Sequence, residues 1–69
     1  MKQVPEMPTS GQFVAVWKWN DAVWSSAYKW ESNHLNVYSI FDDEWEQIEH
    51  PLSLKSHFDR HGAQYFIAD

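Results

Sequence analysis

Apolar and polar positions alternate along residues 13–41, and the alternation keeps its phase through two turns. Phe13, Trp17 and Trp19 share one parity, Trp24, Tyr28 and Trp30 the next, and then Leu35, Val37 and Phe41. A period of two is that of side chains on one face of a pleated strand. With Asn20 and Asp21 at a hairpin tip, Trp17 falls opposite Trp24 and Phe13 opposite Tyr28. With residues 31–34 as the next turn, Trp30 falls opposite Leu35, Tyr28 opposite Val37 and Trp24 opposite Phe41. One aromatic face therefore spans three strands and is the expected interior, with Phe13, Trp17, Trp24, Tyr28, Val37 and Phe41 largely buried. The other face carries Val14, Val16, Lys18, Val23, Ser25, Ala27, Lys29, Asn36, Tyr38 and Ile40, which are smaller or more polar.

The flanks are less regular. Residues 1–12 hold Pro5, Pro8 and Gly11 among polar residues and read as an irregular arm. Asp42 and Asp43 supply a turn, after which residues 44–49 return as a fourth strand. A tight turn there puts Glu44 and Glu46 on the aromatic face and Trp45 on the other, so a bulge, a longer turn or an edge position is required. Pro51 interrupts. Ser53 then offers an N-cap to a helix over residues 53–61, whose Leu54, His57, Phe58 and His61 fall on one face, and Gly62 ends it. Residues 63–68 read as a final strand, with Tyr65 and Ile67 on one side and Phe66 on the other. The expected fold is one domain, residues 1–69, mainly β and bordering α+β. It is a small antiparallel sheet of four to five strands, curled or partly rolled, with a meander over residues 13–49 and one short helix before the last strand.

Composition narrows the chemistry. Sixty-nine residues without a cysteine must be held by packing alone, and large aromatics suit that need because each buries about 150–250 Å². Five tryptophans are many for this length, and an indole N–H is awkward to bury without an acceptor. Trp19 and Trp30, at strand ends, are the rings expected to remain available for stacking or for boxing a cation. The net charge of −5 is concentrated in Asp42, Asp43, Glu44, Glu46 and Glu49, since the other charged residues cancel. Such a field repels phosphate backbones and favours a basic protein partner. Two readings of the segment stand: a solvated edge whose charges block unwanted strand pairing, or a docking surface in which Trp45 is an anchor ringed by carboxylates.

Several chemistries find no support. His57 and His61 have helical i, i+4 spacing, yet no Glu follows His57 as in a zinc-protease helix, and His34 and His50 lie far off in sequence. No bound metal and no cofactor are expected. There is no glycine-rich phosphate loop, and Ser25, Ser26, Ser39, Ser53 and Ser56 lack a nucleophile-elbow context, so an enzyme is not expected. No apolar run approaches the roughly 20 residues of a membrane helix, no signal-peptide pattern follows Lys2, and the cytoplasm is the expected location.

The order of Gly11, an aromatic hairpin, a third strand and the Phe41-Asp42-Asp43 turn resembles the small Tudor and SH3-like barrels over residues 11–54. That resemblance implies a partly rolled barrel. The Asp-Tyr-Gly turn of Tudor domains is missing, so no cage residues carry over. In size, acidity and aromatic content the chain is similar to small phage proteins that disable host factors or defence systems. The leading expectation is a small acidic non-enzymatic protein-binding module, of the phage-inhibitor type, docking through Asp42, Asp43, Glu44, Trp45, Glu46 and Glu49. The alternative is an aromatic-cage or stacking receptor for a peptide or small ligand, built on Trp19 and Trp30. A homodimer is compatible with either.

Overall fold

A computed structural model describes all residues, Met1–Asp69. The chain forms β1 (Lys2–Val4), β2 (Gln12–Trp19), β3 (Ala22–Glu31), β4 (His34–Ser39), β5 (Glu44–Gln47), α1 (Pro51–Arg60) and β6 (Gln64–Ile67). All strands join one antiparallel sheet in the order β1-β6-β2-β3-β4-β5, with α1 as the only helix. Six strands replace the four to five expected. The sheet does not close, because β1 and β5 are its two edges.

Both tight turns fall where alternation puts them. Asn20 and Asp21 have φ of 54° and 62°, and Ser32 and Asn33 have 52° and 65°. Positive φ at both central residues is the primed hairpin geometry, whose twist matches that of the flanking strands. Trp17 accordingly pairs with Trp24, Phe13 with Tyr28, Tyr28 with Val37 and Trp30 with Leu35.

The pairing of Trp24 with Phe41 does not occur. Strand β4 ends at Ser39, residues 40–43 form the turn, and Ser39 pairs with Glu44, Tyr38 with Trp45 and Val37 with Glu46. The Ser39 hydroxyl accepts the Asp42 N–H at 3.4 Å, a local bond that competes with the ladder and ends the strand early. The longer turn and the edge position required for residues 44–49 are both present. Trp45 lies on the face away from the helix, and Glu44 and Glu46 are exposed on the outermost strand.

The arm expected over residues 1–12 is irregular only in part. Lys2 pairs with Ile67, Gln3 with Phe66 and Val4 with Tyr65, so β1 covers the outer edge of β6. Strand β6 in turn pairs with β2, Ala15 opposite Tyr65. The helix begins at Pro51 rather than after Ser53. Proline suits the first helical position, where its fixed φ is pre-organised and its missing N–H is not needed. His50 is the N-cap and makes no side-chain capping bond. The far end follows expectation: Gly62 has φ +63°, and the Ala63 N–H reaches back to the Phe58 carbonyl at 3.0 Å, the 6→1 bond of a Schellman ending.

Helix α1 lies over the aromatic face. Phe13, Ala15, Tyr28, Leu35, Phe58 and Tyr65 are buried, and Phe58 is the one helix residue among them. Phe13 stacks on Tyr28 with ring centroids 5.3 Å apart, and Phe58 meets Tyr28 at 5.8 Å, Tyr65 at 6.0 Å and Trp17 at 4.8 Å. Edge-to-face and offset contacts of this kind add about 0.5–1.5 kcal/mol each beyond area burial.

Candidate functional site

The strands run so that the β2–β3 tip, the β4–β5 turn and the end of α1 all emerge from one end of the sheet. Two surface features stand there, one acidic and one aromatic.

The acidic feature is the β4–β5 turn and the β5 edge. The Tyr38 hydroxyl donates to the Asp43 carboxylate, and the Ser39 hydroxyl donates to Asp42 at 3.4 Å, so both aspartates are tied to the strand that precedes them. Asp43 adopts φ 55°, the left-handed conformation that Asp tolerates better than most residues. Between Ser39 and these carboxylates stand Ile40, 77% exposed, and Phe41, 93% exposed. The expectation that Phe41 is buried is thus overturned. With only a solvated turn before it and no partner on β3, its ring has nothing to pack against.

Asp42, Asp43, Glu44 and Glu46 are brought together on this turn and edge, all exposed, whereas Glu49 lies past the far end of β5. Trp45 is half-buried on the open face of the sheet. Its ring meets Tyr38 edge-on at 5.4 Å and carries the Lys29 ammonium 4.6 Å from its centre, while Lys29 also pairs with Glu31 at 3.1 Å. Trp45 is therefore already engaged, and the ring most open to a partner is that of Phe41. The sequence signal for this was Ser39 three residues before Asp42, the spacing of a side-chain-to-backbone turn.

The aromatic feature is the corner made by Trp17, Trp19, Trp24 and His57, which line an open hollow of about 300 Å³. Trp30 is not part of it. Its indole N–H donates to the Pro8 carbonyl at 2.9 Å at the other end of the sheet, beside Met7, Pro51 and Leu52. Trp19 and Trp30 therefore do not converge on one cage. Trp19 does stay exposed, as expected, and Trp24 joins it.

The histidines are dispersed. His57 and His61 meet with ring centres 4.5 Å apart and planes tilted by 52°, His34 faces Gln47 across β4 and β5 at 3.3 Å, and His50 stands at the N-cap position of the helix. No three of the His, Asp and Glu side chains gather as a metal-ion site. Two tyrosines are perturbed: burial pushes the Tyr28 hydroxyl above the ordinary tyrosine value, against a hydrogen bond from Ser26 that lowers it, and burial together with nearby Asp59 raises that of Tyr65. No helix is long and apolar enough to cross a membrane. Comparison with protein families, curated proteins and solved structures gives no match.

Proposed function

We propose that this protein is a small, non-enzymatic protein-binding module that docks its β4–β5 turn and β5 edge on a basic surface of a partner, acting as an inhibitor or mask of that surface. One observation carries the reading: Phe41 and Ile40 stand 93% and 77% exposed in a turn whose next three residues are Asp42, Asp43 and Glu44. Isolated exposed apolar residues are common, but two bulky ones at a turn tip, flanked by carboxylates held by Tyr38 and Ser39, form an anchor with a charged rim. The ring supplies burial on docking. The carboxylates steer approach and fix orientation. Glu44 and Glu46 also disfavour pairing of β5 with a second β5, which leaves the edge for a partner of opposite charge. A chain without cysteine suits the reducing cytoplasm.

The test is capture of the partner from lysate of the native host, followed by titration. Phe41→Ala should weaken binding by about 2 kcal/mol or more, while Asp43→Asn should act mainly on the association rate. Affinity should fall with added salt, because exposed charges are screened beyond about 8 Å at physiological ionic strength. If neutralising Asp42, Asp43, Glu44 and Glu46 together changes neither affinity nor its salt dependence, the acidic edge is only solvated surface and the reading fails.

A further inference from the structure

The aromatic corner at the end of α1 is independent of the acidic turn and has its own chemistry. Trp19 and Trp24 are each 46% exposed although they are among the largest apolar side chains in the chain. Their rings meet at 6.0 Å with planes 57° apart, and Trp19 meets His57 at 6.5 Å with planes 60° apart. Trp17 closes the hollow from below, its ring edge-on to His57 and resting on buried Phe58 at 4.8 Å. The corner is held in place: the Trp24 indole N–H donates to the Trp19 carbonyl at 3.0 Å, so its polar atom is satisfied while nearly half of the residue stays open to solvent.

This geometry selects among ligands. Sugars and nucleobases stack on one flat ring and need polar or basic groups around it, whereas here the rings are mutually tilted and only Trp17, Trp19, Trp24 and His57 line the hollow. Lys18 has the opposite parity to Trp17 and Trp19 and belongs to the other face, and exposed Arg60 is not among the lining residues. Tilted π faces around a small concavity suit a compact cation, which gains from several ring quadrupoles at once when it sits within about 6 Å of their centres. No lysine or arginine lines the hollow to repel such a group, and Asp21, Asp42 and Asp43, which do not line it either, emerge from the same end of the sheet. We propose that this corner binds a quaternary or methylated ammonium group, borne either by a free small molecule or by a methylated lysine side chain.

The test follows the indole N–H resonances of the full-length protein by NMR during titration with choline and, separately, with 3,3-dimethylbutan-1-ol, which has nearly the same shape and no charge. Choline should shift the Trp19 and Trp24 signals saturably, with the neutral alcohol at least about tenfold weaker. Trp19→Ala should lose choline binding by a similar factor. Phe41→Ala should leave it unchanged, which separates this site from docking through the acidic turn. A trimethyl-lysine peptide that binds more tightly than choline assigns the cation to a side chain, and equal binding assigns it to a small molecule; either outcome upholds the site. Equal binding of choline and the alcohol, or no saturable shift with choline, overturns it, and neither result depends on a variant that folds.

Discussion

Phe58 is the residue on which the packing turns. It is 0% exposed, it is the only buried residue of α1, and it touches Trp17, Tyr28 and Tyr65, which come from three different strands. Phe58→Ala should therefore cost about 3–5 kcal/mol in urea unfolding, the range for emptying a large buried aromatic site. In a domain of this size that is much of the total stability. Trp24 was expected from its parity to be equally deep, and parity alone cannot say so, because a period of two assigns a face and not a depth. Depth is set by how far the covering helix reaches. Trp24 pairs with Trp17, meets the ring of Trp19 rather than the buried Phe58 of α1, and keeps nearly half its surface in water. Trp24→Ala should cost roughly 1–2 kcal/mol, clearly less than Phe58→Ala, since only the covered part of the ring is lost. Equal costs for the two substitutions would mean that Trp24 is covered in solution.

Among the elements, β2, β3 and the paired part of β4 were legible because aromatic alternation and turn residues specify the same register, and a one-residue slip would turn every ring to the wrong face. Strand β1 was not legible: Lys2, Gln3 and Val4 show no period, and they become a strand only because β6 offers them a free edge. The start of α1 is ambiguous in the sequence because Pro51 reads equally as a breaker or as a first helical residue, proline being disfavoured only past the first turn of a helix. The anchor of the candidate docking site was hidden for the opposite reason, since the alternation continues through Phe41 while the backbone leaves the strand at Ser39. Turn chemistry itself makes two predictions. Asp21 holds φ 62°, at a position where Asn-Gly is the preferred pair, so Asp21→Gly should stabilise by about 0.5–1 kcal/mol and raise the melting temperature by a few degrees. Gly62 holds φ +63° with open space around a would-be Cβ, so Gly62→Ala should destabilise by about 1 kcal/mol through backbone strain alone. A melting temperature that falls for Asp21→Gly, or stays constant for Gly62→Ala, would contradict these turn geometries.

At the scale of the whole molecule, one helix covers one face of a six-stranded sheet, and a single core therefore carries the stability of the fold. Tyr28 and Tyr65 sit in that core, and the hydroxyls of both are held above the ordinary tyrosine value by burial; an ionised Tyr65 further opposes ionisation of Tyr28, and the Asp59 carboxylate that of Tyr65. A raised value in the folded state means that the folded protein keeps a proton which the unfolded chain gives up. Below about pH 10, the ordinary tyrosine value, both states are protonated and the contribution is fully present. As pH rises from there through the raised folded values, the unfolded chain ionises first and stability falls. Lysines lose their charge in nearly the same range, so the wild-type profile alone does not isolate the tyrosines. Tyr28→Phe combined with Tyr65→Phe removes both hydroxyls and keeps the rings that meet Phe13 and Phe58. The urea midpoint of the wild type should drop more steeply than that of the double variant as pH rises above about 10, where the unfolded chain ionises first. Parallel profiles would show that the two hydroxyls reach water in the folded state, and that the core beneath α1 is looser at its tyrosine end than the packing of Phe13, Phe58 and Tyr65 implies.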